Sequence, residues 1–239
     1  MNIALVLSGG KGTRISSDIP KQYIRPDGIN TILYYCLETL FSDKNIDAVQ
    51  IVADAEYHTL ISEELEQIEL SDVKFKGFSV PGKNRQLSIW NGLEDIKAYA
   101  DANDYVLIHD GARPCLSNVM LDICFKEIDG HDGVMPVIPM KDTVYLSEDG
   151  KSVTSLLDRK SIFAGQAPEL FVFGKYYDSI EKLLPDRVMT INGSTEPAIL
   201  NGMDVVMIPG DENNFKITTD ADLERFKEIL RLKNESIRT

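Results

Sequence analysis

Cysteine is scarce. Cys36, Cys115 and Cys124 are the three in 239 residues, an odd number with neither a C-x-x-C pair nor the Cys/His spacing of a metal cage. A disulfide scaffold and a zinc module are thereby excluded, and a reducing compartment, the cytoplasm, is expected. Long apolar runs are missing too: none approaches the roughly 18 residues of a membrane span. The opening MNIALVLSGG lacks a basic leader and runs into glycines after a short apolar stretch, so it reads as a strand and not as a secretion signal. Positive charge is in deficit, since 25 Lys and Arg against 38 Asp and Glu leave a net charge of −13. That balance repels a nucleic-acid backbone or an anionic membrane, and an anionic ligand would need the few cations gathered in one place. Repeats, low-complexity tracts and linkers are also absent, so residues 1–239 read as one domain, large enough to fold without staples.

What is present is alternation. Apolar, β-rich runs at Ile3 to Leu7, Ala48 to Ala53, Lys74 to Val80, Tyr105 to His109, Gly133 to Pro136 and Val205 to Ile208 are separated by segments of helical spacing. Those segments are Ile32 to Leu40, Tyr57 to Glu66, Gln86 to Ala98 and Asn118 to Ile128. The pattern predicts a three-layer, Rossmann-like α/β fold on a mainly parallel sheet. Thr219, with Asp222 three residues on, marks the start of a final helix that should close one side of that sheet. Residues 142–162 break the alternation: DTVYL, a polar SEDGKS turn and VTSLL read as a hairpin bent at Asp149 and Gly150. This protruding arm would expose Val144, Leu146, Val153, Leu156 and Leu157 and is a candidate two-fold dimerisation element.

Chemistry concentrates after the first strand. LSGGKGTR supplies Ser8, Gly9, Gly10 and Gly12, whose backbone N–H groups can approach a phosphate, together with the cations Lys11 and Arg14. The spacing matches neither a dinucleotide fingerprint nor a Walker A loop. Asp110, at the end of the strand Tyr105 to His109, opens onto the crevice where α/β sheets bind ligands, and a carboxylate there suits Mg²⁺ on phosphate oxygens. His109 beside it reads as a structural histidine.

The order G-G-x-G-T-R, then Pro20-Lys21-Gln22-Tyr23, then GKNRQLSIWNGL, HDGARP, DRKSIFAGQAPELF and NNFKITTDADL resembles a cytidylyltransferase family. That family comprises 2-C-methyl-D-erythritol 4-phosphate and ribitol-5-phosphate cytidylyltransferases, and the matches span positions 4 to 223. The resemblance implies a nucleotidyltransferase that moves CMP from CTP to an alditol phosphate and releases pyrophosphate, with methylerythritol 4-phosphate, in isoprenoid precursor synthesis, ahead of ribitol 5-phosphate. It implies catalytic Arg14, Lys21 and Lys216, nucleotide contacts from Ser8 to Gly12 and from Gly82, Arg85 and Ser88, and acceptor contacts from Asp110, Arg113, Thr143 and Arg159. Mg²⁺ on Asp110 and a homodimer, with Arg159 acting across it, complete what is implied. Two positions depart from the pattern. Ala167 and Asn192 stand where family members carry threonines, and Ser194, Thr195 or Glu196 could replace the lost contacts. A weakly catalytic nucleotide-binding relative is the alternative those departures permit.

Overall fold

The computed structural model describes residues 1–10, 12 and 15–237. The strands are β1 (Asn2–Leu7), β2 (Ala48–Val52), β3 (Phe75–Ser79), β4 (Tyr105–Asp110), β5 (Gly133–Pro139), β6 (Val144–Leu146), β7 (Ser155–Leu157), β8 (Phe163–Gly165), β9 (Glu169–Val172) and β10 (Val205–Pro209). The helices are α1 (Ile32–Ser42), α2 (His58–Leu65), α3 (Ser71–Lys74), α4 (Arg85–Ile96), α5 (Asn118–Glu127), α6 (Phe173–Glu181), α7 (Glu196–Leu200) and α8 (Asp220–Ile237). All six predicted strands and four predicted helices are present.

The main sheet runs β10-β5-β9-β4-β1-β2-β3, with β8 added to β5. The pairs β1/β2, β1/β4, β2/β3 and β5/β10 are parallel, whereas β9 is antiparallel to both its neighbours. Continuous apolar runs such as Ile3–Val6 are fully buried because helices cover both faces of the sheet. Alternate residues divide between two cores. Ala4, Val6, Val49, Ile51 and Leu107 join Leu33, Leu37 and Leu121 from α1 and α5. Ile3, Leu5, Val106 and Ile108 join Ile89, Leu93, Tyr176 and Ile180 from α4 and α6. The three-layer expectation therefore holds.

Helix starts follow local chemistry. Thr31, Asn84 and Ser117 accept from Tyr34 N, Leu87 N and Met120 N, capping α1, α4 and α5. At α8 the Asp222 carboxylate takes the N–H groups of Thr218 and Thr219, both at 2.9 Å, while Thr219 Oγ1 accepts from Asp222 N. Helix α8, expected to close one side of the sheet, packs on α1 and on loop residues. Its stripe of Leu223, Phe226 and Leu230 packs on Ile15, Ile32 and Ile217 in a third core, with Phe226 edge-on to Tyr35 at 5.4 Å.

The hairpin at 142–162 forms as β6 paired antiparallel with β7, and it belongs to a separate two-stranded sheet. Gly150 takes φ +68° at the bend, and Asp149 Oδ1 accepts from Lys151 N and Ser152 N. Tyr145, Leu146, Val153 and Leu156 lie exposed on it.

One packing detail is open to test. A Cβ on Gly92, inside α4, would meet Leu5 Cδ1 at 2.4 Å, and Leu5 is fully buried. Helix propensity alone would make Gly92→Ala stabilising by up to about 1 kcal/mol. Overpacking reverses the sign, and we expect a loss of about 1–3 kcal/mol, read from the denaturation midpoint in urea.

Candidate active site

A cleft of about 480 Å³ opens at the carboxyl ends of β1 and β4, lined by Gly9, Gly10 and Gly12, Lys21 and Gln22, Gly82 to Arg85, Ser88, Asp110, Lys216 and Thr218. Four separate segments meet there. Lys11 and Arg14 lie outside the described residues. Lys21, Lys216, Arg85, Ser88, Gly82 and Asp110 are brought together as expected.

The floor is the loop after β1. Gln22, 3% exposed, donates Nε2 to Ser8 O at 2.6 Å and to Gly10 O at 2.8 Å. Two carbonyl oxygens of the loop are thereby engaged by an internal donor. Gly9 is required by close approach, since a Cβ there would lie 2.5 Å from Pro81. Ser8 is not a ligand contact through its side chain: the hydroxyl is buried and donates to Tyr23 Oη, which in turn donates to Ser8 O.

The second wall is the start of α4. Gly82 N donates to Ser88 Oγ at 3.0 Å, and Ser88 Oγ gives its own proton to Asn84 O at 3.0 Å. Toward a ligand Ser88 can therefore only accept.

Charge dominates the centre. Asp110, 6% exposed, is paired with Arg85 through Oδ1, and its Oδ2 lies 3.0 Å from Lys216 Nζ and 3.3 Å from Arg113 Nε. Burial pushes this carboxyl upward, but Arg85, Lys216 and Arg113 outweigh it and hold Asp110 well below the usual carboxylate range. Arg113 stands behind the cleft, because its guanidinium also donates to Asn214 O at 2.8 Å. That contact, with Ile217 N donating to Ala112 O at 2.9 Å, fastens the segment that carries Lys216 to the loop after β4. Asp220 accepts from Ser16 N and Oγ, tying the start of α8 to the residues that follow the glycine loop. His109 is fully buried, its Nε2 lies 3.3 Å from Arg113 O, and burial lowers its pKa to about 4. It is neutral near pH 7 and behaves as a structural histidine.

Behind Arg85 lie Ser194, Thr195 and a carboxylate the sequence did not reveal, Glu169. Ser194 Oγ takes Arg85 Nη2 at 2.8 Å and Nε at 3.2 Å, and Glu169 Oε2 lies 3.8 Å from Nη2. Glu169 also accepts from Thr195 Oγ1 at 3.1 Å. Burial raises its pKa, with the Arg85 charge and the neighbouring hydroxyls pulling the other way. Ser194 and Thr195, the candidates to replace a threonine missing at Asn192, are buried beside Arg85 and Glu169. Asn192 itself is exposed, and its N–H serves Glu196. Ala167 is buried and offers its carbonyl to Asn214 Nδ2 at 2.8 Å. Thr143 and Arg159 stand exposed on the arm, away from this cleft, and Arg159 Nη1 donates to Lys141 O at 2.7 Å.

Parallel strands, a glycine loop and a cation cluster around one carboxylate at the ligand edge define an α/β nucleotidyltransferase. The profile of the IspD family, 2-C-methyl-D-erythritol 4-phosphate cytidylyltransferase, matches residues 2–232, and the chain belongs to that family. Relatives carrying that enzyme name include one from Clostridium novyi, 32% identical and covering 100% of this chain and 98% of its own. Another, from Lachnospira eligens, is 29% identical over 94% of this chain and 96% of its own. The solved structure of a 4-diphosphocytidyl-2C-methyl-D-erythritol synthase from Anaerococcus prevotii shares the fold with a TM-score of 0.80 at 24% identity, covering 96% of each chain.

Replacing Gln22 by Leu keeps the volume but takes from Gly10 O its Gln22 donor and from Ser8 O one of two donors, the other being Tyr23 Oη, and a hydrogen bond of this kind is worth about 0.5–1.5 kcal/mol net. Gln22→Leu should lower stability by about that amount and weaken CTP binding, checked by thermal melting and calorimetric titration.

Proposed function

We propose that the protein is a CTP-dependent cytidylyltransferase that transfers CMP to 2-C-methyl-D-erythritol 4-phosphate, releases pyrophosphate and so contributes to isoprenoid precursor synthesis in the cytoplasm. The observation that carries this reading is the gathering of Lys21, Arg85 and Lys216 with Asp110 around the glycine loop, in a family member whose net charge is −13.

An acceptor phosphate oxygen attacks the α-phosphorus, a new P–O bond forms, and the bond from that phosphorus to the pyrophosphate oxygen breaks with its electron pair. A phosphate monoester is already ionised near pH 7, so no general base is needed. Catalysis then rests on alignment and on cations placed where charge accumulates. In this reading Arg14 and Lys21 grip the triphosphate across the glycine loop, and Lys216 leaves Asp110 to meet the α-phosphate. Gly82 and Ser88 face the base. A hydroxyl that can only accept suits the amino group of cytosine and not the carbonyl of uracil.

Asp110 fits a magnesium ion that arrives on phosphate oxygens. Such an ion needs only one or two carboxylates from the protein, and Asp110 supplies one, buried and ionised, at the ligand edge. No group of three or more His, Cys, Asp or Glu among the described residues forms a separate metal cage. When bound, the ion would neutralise charge on the triphosphate. Asp110 would orient it, and Arg113, fastened to Asn214 O, would hold Asp110 in place.

The acceptor half of the site is proposed to be completed by a second copy of the chain. Neither Arg159 nor Thr143 lines the cleft of its own chain, and the exposed apolar residues of the arm need a cover. The homodimer would bring Arg159 of one protomer to the acceptor phosphate of the other.

Pyrophosphate release with CTP and methylerythritol 4-phosphate tests the reaction directly, with ribitol 5-phosphate as the competing acceptor. Faster turnover of ribitol 5-phosphate would reassign the acceptor. The kcat/KM for CTP should exceed that for UTP by about 10²-fold or more. Lys21→Ala and Lys216→Ala should each reduce kcat by about 10²-fold or more, and parental turnover in both would refute their roles. Sedimentation velocity at micromolar concentration should give a dimer, and Leu156→Asp should shift it to monomer.

A further inference from the structure

Asp110 is the one carboxylate among the described residues lining the cleft, and both its oxygens are engaged, Oδ1 by Arg85 and Oδ2 by Lys216 and Arg113. A divalent ion on the triphosphate can reach Asp110 only if one of these cations withdraws. Lys216 can withdraw to the phosphates. Arg85 is more constrained, because a largely buried guanidinium that loses its carboxylate is strongly destabilising unless another receives it.

Glu169 is placed to be that receiver. Its Oε1 holds Thr195, while Oε2 is buried, makes no hydrogen bond among the described residues and lies 3.8 Å from Arg85 Nη2. That distance is beyond a hydrogen bond and short enough for a small rotation to close. Ser194 Oγ, bonded to both Nε and Nη2, forms a pivot on the same side of the guanidinium. Arg85 thus faces both carboxylates at once, Asp110 through Nη1 and Glu169 through Nη2, and a rotation about the Ser194 contact would carry it from the first toward the second.

We propose that Glu169 is a positioning residue that receives Arg85 from Asp110 when magnesium and CTP bind, so that release of the metal-binding carboxylate and capture of Arg85 are one event. The inference rests on the cleft being the site for CTP and magnesium. It makes metal and nucleotide binding mutually dependent: without nucleotide Asp110 stays closed by its cations, and without metal Arg85 stays where it is.

The test is the ratio of CTP dissociation constants measured in EDTA and in saturating Mg²⁺, by calorimetry on the full chain. Glu169→Gln keeps the shape and removes the receiving charge. The ratio should fall about tenfold relative to the parent, and Glu169→Asp, which retains the charge, should restore part of it. A merely structural role would weaken both constants together, lower the melting temperature and leave the ratio unchanged, which would overturn the proposal. If the variants fail to fold, a crystal structure of the parent with CTP and Mg²⁺ decides. Arg85 off Asp110 and within hydrogen-bond distance of Glu169 Oε2 supports the transfer, and Arg85 still on Asp110, whatever its distance from Glu169, refutes it. A parent that binds no CTP in Mg²⁺ would defeat the proposed function itself, an outcome distinct from an unchanged ratio.

Discussion

The site is organised by the enclosure of one buried carboxylate by three cations. A lone ionised Asp110 at the end of β4 would be strongly disfavoured by burial, and Arg85, Arg113 and Lys216 would repel one another without it. Each cation arrives on a different segment: Arg85 on the first turn of α4, Arg113 in the loop after β4, and Lys216 on the stretch before α8. Asp110 therefore does more than face the cleft. It draws three parts of the chain to one point and holds them at the end of the central strands.

The glycine loop depends on the same economy of buried polar groups. Gln22 satisfies the two carbonyls that turn inward, and Tyr23 satisfies Ser8. The carbonyl dipoles of Ser8 and Gly10, which would repel phosphate, are thereby engaged by an internal donor. Charge economy is equally local: a chain with thirteen excess negative charges offers an anion a pocket whose lining, among the described residues, sets Lys21, Lys83, Arg85 and Lys216 against Asp110.

Much of this was legible from residue order. Six strands announced themselves as apolar runs between helical segments, because a strand buried on both faces must be apolar throughout. The antiparallel β9 did not. Its four residues, Glu169–Val172, run straight into α6 with no turn residue between, and they open on a carboxylate that looks wrong for a buried strand. That carboxylate was the available signal for a polar network, and it became readable only once Arg85 stood beside it. Gln22 was visible within Pro20-Lys21-Gln22-Tyr23, yet its task, holding carbonyls fourteen and twelve residues back, is a contact that spacing cannot disclose. The threonine sought at Asn192 failed for a related reason. The turn into α7 carries Ser194 and Thr195 inward and leaves Asn192 outside, and which residues of a turn face inward is not given by counting along the chain.

The reversed direction of β9 has a consequence of its own. Every parallel strand leaves the ligand edge by its carboxyl end, but β9 enters there by its amino end, with Glu169 paired in register to Ile108 just before His109 and Asp110. The chain between β5 and β9 consequently starts and finishes on the same rim, and the arm hangs from that rim as a closed excursion that crosses no layer of the core. Loop length on such an excursion adds little entropic cost. Arms of other lengths and sequences could be exchanged at this rim while the nucleotide half stayed intact, so the hairpin is the natural module through which this scaffold would acquire new acceptors.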